Sequence, residues 1–134
     1  VSIVNGQLLK MSSQYFQNLQ VYKLAEKLAD EIWRIVEEWN LFAKETIGKQ
    51  LVRAADSIGA NIAEGVGRGS YQDNRRFVRM ARGSLYETQH WLRRAYNRKL
   101  LTTEQIDTLK PIIEELAPKL NSYLNSIGKI PENQ

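Results

Sequence analysis

The chain has 134 residues, no cysteine and one histidine, with a formal net charge of +4 at pH 7. That length suits one domain with its own core, the missing thiols exclude disulfides and thiolate metal sites and suit a reducing cytoplasm, and no apolar run approaches the ~20 residues of a membrane span. Charge is uneven: residues 68–99 hold nine arginines and lysines against two acids, while the rest of the chain carries a net −3, which marks either a nucleic-acid or acidic-partner surface or one well-solvated face.

Residues 1–17 are mixed in character and read as an N-terminal tail or arm. They lack the basic flank and long apolar core of a secretory signal. Met11, just before Ser12 and Ser13, is a candidate start. A helical period then spans about residues 18–39, with Asn18 as a candidate N-cap. Tyr22, Ala25, Leu28, Ala29, Ile32, Ile35, Val36 and Trp39 recur at three- and four-residue steps. Leu19, Leu24 and Trp33 widen this arc beyond the ~100° stripe a lone bundle needs, which predicts burial on two sides and hence oligomerisation.

Asn40 to Glu45 reads as a short connection, followed by a second helix over about 46–65. Its main apolar row is Ile47, Leu51, Ala54, Ile58 and Ile62. A second row, Val52, Ala55, Gly59, Ala63 and Val66, is mostly small, and small residues let another helix approach closely. Gly59 costs about 1 kcal/mol of helix propensity relative to Ala, so close packing or a local kink is expected there. Gly65-Val-Gly-Arg-Gly69 ends the helix and is expected to supply positive φ values.

Ser70, with Asp73 three residues on, caps a third helix over about 70–97. Its predicted buried face is Phe77, Met80, Ala81, Ser84, Leu85, Thr88, Trp91, Leu92 and Ala95. Thr102-Thr-Glu-Gln105 is a capping box for a fourth helix over about 103–127, with Ile106, Leu109, Ile113, Leu116, Leu120, Tyr123, Leu124 and Ile127 on its apolar side. Pro111 and Pro118 interrupt that pattern and predict a kink, or two helical pieces joined near Pro111. Gly128 and Pro131 end the helix, and residues 129–134 form a C-terminal tail. The fold class is therefore all-α, an antiparallel up-down four-helix bundle.

No catalytic or metal centre can be assembled. The Gly65–Ser70 loop lacks the strand and the Gly-Lys-Ser/Thr ending of a phosphate-cradling loop. His90 has no second histidine to join it and reads as a surface or pocket-edge residue. The pairs Asp30/Glu31, Glu37/Glu38 and Glu114/Glu115 point in different directions on their helices and read as solvated faces. Asn61, on the main apolar row, is either a hydrogen-bonding residue that sets helix register or a ligand contact. No cofactor is expected.

The third helix carries the feature of most interest. Arg75, Arg79, Arg82, Tyr86 and Arg93 fall within roughly 60° of one another at 100° per residue, opposite Phe77 and Trp91. Arg68 and Arg76 flank them, and Arg94, Arg98 and Lys99 extend the basic end. Arginine pairs bidentately with phosphate, and an interleaved tyrosine can stack on a base. Few acids lie three or four positions away to neutralise these arginines. The stripe is either plain surface or subunit-interface arginine, or a nucleic-acid contact.

Leu51-Val-Arg-Ala-Ala-Asp-Ser-Ile-Gly-Ala-Asn-Ile-Ala-Glu-Gly-Val-Gly-Arg68 resembles the signature of a bacterial family, the four-helix-bundle proteins of the 23S rRNA intervening-sequence type. Arg53, Ala54, Ser57, Ile58, Ala60, Asn61, Ile62, Ala63, Glu64, Gly65, Gly67 and Arg68 match its pattern, and Gly59 stands where that pattern has Pro. Leu19–Ala25 and Phe77–Glu87 fit as well, so the resemblance covers about residues 16–127. It implies a non-enzymatic homopentamer, a barrel of bundles, with RNA or DNA as a partner and RNA favoured. A similar fold serves as the accessory protein of diversity-generating retroelements, which implies as an alternative an oligomeric protein-binding scaffold or accessory subunit, for example of a reverse transcriptase. By the resemblance, Arg53, Asn61, Glu64, Gly65 and Gly67 are motif residues of structural or functional weight.

Overall fold

The computed structural model describes residues 19–129. Residues 1–18 and 130–134, with Met11, Asn18 and Pro131, lie outside that range. Within it the chain is all-helical, with four helices and no strand. Helix α1 spans Gln20–Glu37, α2 spans Lys49–Val66, α3 spans Tyr71–Asn97 and α4 spans Thr103–Ser126. α1 packs on α2 and α4, and α3 packs on the same two, so the order around the bundle is α1–α2–α3–α4. The α1–α2 seam and the α3–α4 seam therefore lie on opposite sides.

In α1, Val21, Ala25, Leu28, Ile32, Ile35 and Val36 are buried at three- and four-residue steps. Leu19 occupies the N-cap position without a side-chain bond. Trp39 falls just past the helix, where its Nε1 donates to the Leu100 carbonyl at 3.0 Å. That indole bond ties the α1 exit to the link before α4.

The second helical run starts earlier than the sequence predicts. Asn40 is an N-cap whose side chain accepts from the Ala43 N–H at 3.0 Å, and residues Leu41–Ala43 are already helical. A π-helical turn, Lys44–Gly48, leads directly into α2. Ala43, Ile47 and Leu51 are all buried, one long turn apart. Gly48 is what permits this. A Cβ there would sit 2.9 Å from Val36 Cγ1 and 3.0 Å from the Ala43 carbonyl oxygen, so the turn can lie against the end of α1 only without a side chain.

The buried face of α3 is Val78, Ala81, Leu85, Thr88, Leu92 and Ala95. Phe77 and Trp91 are only half-buried and Met80 is 46% exposed. The predicted face favoured the bulkier residues, whereas the helix turns Val78 inward. Thr88 is fully buried and satisfies its hydroxyl on the Ser84 carbonyl at 2.7 Å.

Both cap predictions hold. Ser70 Oγ accepts from the Asp73 N–H at 3.1 Å, and Thr102 and Gln105 form the reciprocal box at 2.9 and 3.0 Å. Of the two outcomes expected at Pro111, two joined helical pieces are not found: α4 runs unbroken through Pro111 and Pro118. Both prolines are exposed, as are Asp107 and Glu114 four residues before them. Water can therefore satisfy the carbonyls that the prolines leave free. Leu109, Ile112, Leu116, Leu120 and Leu124 hold the other face of α4 in the core, with Ile112 taking the place predicted for Ile113.

The turn between α2 and α3 also departs from expectation. Among the described residues only Gly128 and Lys99 have positive φ, so the Gly65–Gly69 glycines do not serve that purpose. Gly65 instead allows close approach, because its Cβ would fall 2.5 Å from Asn74 Oδ1 and 3.2 Å from Phe77 Cβ. At Gly59 the approach of α1 is an ordinary van der Waals contact with room for a methyl, so close packing does not require the glycine. Tyr22 and Ala25 of α1 lie 3.4 and 3.9 Å from where its Cβ would be, in an unbroken helix.

Candidate nucleic-acid interface

The arginine stripe sits on the flank of α3 that borders the end of α4. Ser70 and Asp73 start the helix and set its rotation, so Arg75, Arg79 and Arg82 appear at one-turn steps beside α4. Arg75 Nη1 donates to the Ile127 carbonyl at 3.0 Å. Gly128, at φ 85°, makes room for it, since a Cβ there would lie 2.8 Å from that same Nη1. Arg82 Nη1 donates to Asn121 Oδ1 at 3.1 Å. Arg79 is exposed and makes no hydrogen bond or ion pair among the described residues.

The three arginines line one open cleft of about 540 Å³, closed on the α4 side by Asn125, the Ile127–Gly128 backbone and Lys129. Among the described residues no carboxylate lines it. Four cationic side chains thus meet in one concavity, Arg75 and Arg82 held by hydrogen bonds and the exposed Arg79 and Lys129 without a side-chain partner among the described residues. Such a site suits a phosphate or another oxyanion. Tyr86, 61% exposed, and the exposed Arg93 continue the same line along α3.

Arg68 and Arg76 belong to a different place. Both guanidinium groups lie over the Phe77 ring, at 5.0 and 4.6 Å from its centre, on the α2 side of α3. Arg68 also pairs with Glu64 at 3.1 Å and Arg76 with Asp73 at 3.5 Å. The expectation of few neutralising acids therefore holds for Arg75, Arg79, Arg82 and Arg93 and fails for these two. Helical period alone cannot show that a half-buried Phe77 gathers them.

The remaining motif residues have local roles. Asn61 is half-buried and its Nδ2 donates to the Ser57 carbonyl at 2.9 Å, a bond within its own helix rather than across to another. Arg53 is exposed, with its carbonyl accepting from the Ser57 hydroxyl. Gly67 follows α2 at φ −76°, a value open to any residue. His90 is exposed and meets Trp91 edge-on at 4.8 Å. Among the described residues, no group of three or more metal-ligating side chains is gathered, and no helix is long and apolar enough to cross a membrane.

The opposite side of the bundle has the reverse character. Between α1 and α2 lies a cleft floored by Ala25, Ala29, Ala55, Gly59 and Ala63 and edged by Glu26, Asp30 and Asp56. Burial, and then the neighbouring Asp30, raise the Asp56 carboxyl above its ordinary range. Burial, and then Glu26, likewise raise the Tyr22 hydroxyl. Further along the same seam, Trp33, Val36 and Val52 border a hollow edged by Glu37, Lys44 and Lys49, and Trp33 is 55% exposed; Leu41 and Phe42, on the short helix before α2, are 69% and 79% exposed. Of the residues that widen the α1 arc, Leu19 and Leu24 pack against the chain's own core, and Trp33 is left open in the single chain.

The profile of the family described as 23S rRNA-intervening sequence protein matches residues 17–122. The chain belongs to this family. A solved structure from Bacteroides thetaiotaomicron, a protein of unknown function from the S23 ribosomal protein family, is similar at 25% identity. The similarity covers 78% of this chain and 97% of that one at a TM-score of 0.68. No curated protein matches the chain. The family match takes in α1, α2, α3 and most of α4, so both the α1–α2 seam and the arginine stripe fall within it.

Proposed function

We propose that this protein is a non-enzymatic, homo-oligomeric nucleic-acid-binding module of the cytoplasm that holds RNA phosphates in the Arg75–Arg79–Arg82 cleft. The observation that carries this reading is the convergence of three arginines and Lys129 in a cleft that no carboxylate lines among the described residues. Guanidinium forks suit phosphate, and a one-sign cleft draws a polyanion from a distance. RNA rather than DNA rests on the family's name. Assembly rests on the apolar floor of the α1–α2 seam and on the exposed Trp33 and the adjacent exposed pair Leu41 and Phe42, large apolar side chains that a second copy would cover. In the pentameric barrel that the resemblance implies, each copy is an antiparallel up-down bundle. Arg75, early in α3, bonding Ile127 just past the end of α4 supports that direction for this pair. Five copies would carry five times the chain's +4, and repeated weak sites raise avidity without a new contact.

The test is RNA affinity against salt for the wild type and the Arg79→Gln/Arg82→Gln double variant. Arg79 holds nothing in the fold and Arg82 makes only one surface bond, so the bundle stays folded. Arg75 is the wrong residue to change because it holds the end of α4. Each lost phosphate contact makes the slope of log K against log salt shallower by about 0.7 to 0.9, so the double variant binds more weakly with a slope shallower by between about one and two. Unchanged affinity and slope would refute the reading.

The exposed Trp33, Leu41 and Phe42 favour one alternative, an oligomeric protein-binding scaffold such as an accessory subunit of a reverse transcriptase. A neighbouring reverse-transcriptase gene with a variable repeat would favour that alternative.

A further inference from the structure

The arginine stripe is interleaved with more exposed aromatic surface than Tyr86 alone. Tyr71 is 62% exposed and Tyr96 54% exposed. Measured from Arg75 at 100° per residue, Tyr71, Arg79, Arg82, Tyr86, Arg93 and Tyr96 all fall in an arc of about 100°. No acid of α3 falls in that arc. The Tyr71 Cβ and Cγ lie 3.3 and 3.4 Å from the place a Cβ on Gly128 would take, so this ring stands at the rim of the arginine cleft. The exposed cationic and aromatic residues on this flank of α3 therefore read Tyr, three Arg, Tyr, Arg, Tyr over 25 residue steps, or roughly 38 Å at 1.5 Å each, with the uncharged Gln89 and Asn97 also in the arc.

We infer that this track takes an unpaired nucleic-acid strand rather than a duplex, an inference that rests on the nucleic-acid reading above. Phosphate contacts do not distinguish the two, because both carry them. Exposed tyrosines do. A tyrosine ring gains from nucleic acid by stacking on the face of a base, and in a duplex those faces are already covered by neighbouring pairs. Arginine alone would serve any polyanion. Alternation of arginine with three solvent-facing phenols along one line matches the alternation of phosphate and base along a splayed single strand. At the ~3.4 Å rise of a stacked strand the track accommodates at most about eleven nucleotides.

The experiment compares a short single-stranded RNA without self-complementarity, the same RNA annealed to its complement, and single-stranded DNA of the same sequence. Each is titrated against wild type, Tyr86→Leu and Tyr86→Phe. Tyr86 is exposed, and circular dichroism confirms that the variants fold. The single strand binds more tightly than the duplex. Tyr86→Leu loses about 5- to 150-fold in single-strand affinity, the range for one stacked base, with an unchanged salt slope, while Tyr86→Phe keeps the ring and the affinity. Single-stranded DNA that binds as well as RNA supports stacking, because a base face needs no 2′-hydroxyl. Duplex affinity equal to or above the single strand, or an inert Tyr86→Leu, overturns the inference. If either comes with a salt slope that still depends on Arg79 and Arg82, the nucleic-acid reading stands alone. Absence of binding to all three probes overturns both.

Discussion

Two glycines on one helix allow packing to be separated from helix propensity. Gly59 and Gly65 both lie in α2, and replacing either by Ala adds the same methyl. At Gly59 the nearest atom to the new Cβ is Tyr22 Cε1 at 3.4 Å, an ordinary contact on a partly exposed seam. Propensity then dominates, and Gly59→Ala stabilises the bundle by about 0.5–1 kcal/mol. At Gly65 the new Cβ would meet Asn74 Oδ1 at 2.5 Å, the Asn74 carbonyl oxygen at 3.1 Å and Phe77 Cβ at 3.2 Å. Asn74 Oδ1 is buried and has no hydrogen-bond partner among the described residues, so that side chain can turn aside. The backbone oxygen and the Phe77 Cβ move only if α3 moves. Overpacking of this kind costs about 1–3 kcal/mol, and the propensity gain is smaller one residue from the helix end. Gly65→Ala therefore destabilises by about 1–2 kcal/mol, leaving the variants about 1.5–3 kcal/mol apart. Urea denaturation reads that difference directly, and melting separates the two by about 5 °C or more. A Gly65→Ala protein as stable as Gly59→Ala would refute the claim that Gly65 exists to bring α3 against α2.

Two further outcomes follow from particular contacts. Lys99 ends α3 at φ 63°, with its N–H on the Tyr96 carbonyl and the Leu100 N–H on the Ala95 carbonyl, the bond pair of a Schellman ending that usually takes Gly. Left-handed backbone costs a side-chain-bearing residue about 1–2 kcal/mol, so Lys99→Gly raises stability by up to about 1 kcal/mol in denaturant titration, after the entropy cost of Gly. Because the folded Asp56 carboxyl is raised above its unfolded value, by burial and then by Asp30, the native state holds the extra proton and stability falls as pH rises through the folded value. Asp56→Asn is therefore more stable than wild type at neutral pH, and the gap closes as pH falls to about 4, near the unfolded carboxyl value. A gap in melting temperature that grows toward acid contradicts that sign.

Helix count, the caps at Ser70 and Thr102 and the stop at Gly128 were readable from the chain because each depends on residues within one turn. The family could be named from α2 for a similar reason, since its motif is one continuous stretch. Faces were readable only to within a residue or two. Val78 and Ile112 displaced the predicted Met80 and Ile113 because burial answers to the neighbouring helix rather than to side-chain size. The early start at Leu41 is not legible in the sequence because a π-helical turn breaks the helical period, and the continuity of α4 through its prolines is not legible because period says nothing of which side faces water.

The candidate site divides in the same way. That Arg75, Arg79, Arg82, Tyr86 and Arg93 share a line is a matter of helical geometry, and any α-helix over that stretch produces it. That Asn125, the Ile127 carbonyl and Lys129 join them, while Arg68 and Arg76 turn away to Phe77 and their own acids, depends on which helix end lies beside which. Residues some fifty positions apart meet there, and local rules carry no information about such meetings. The chain's own pattern thus establishes an amphipathic all-helical bundle with one basic helix. Only the packing of the α4 end against the start of α3 turns that basic helix into a cleft.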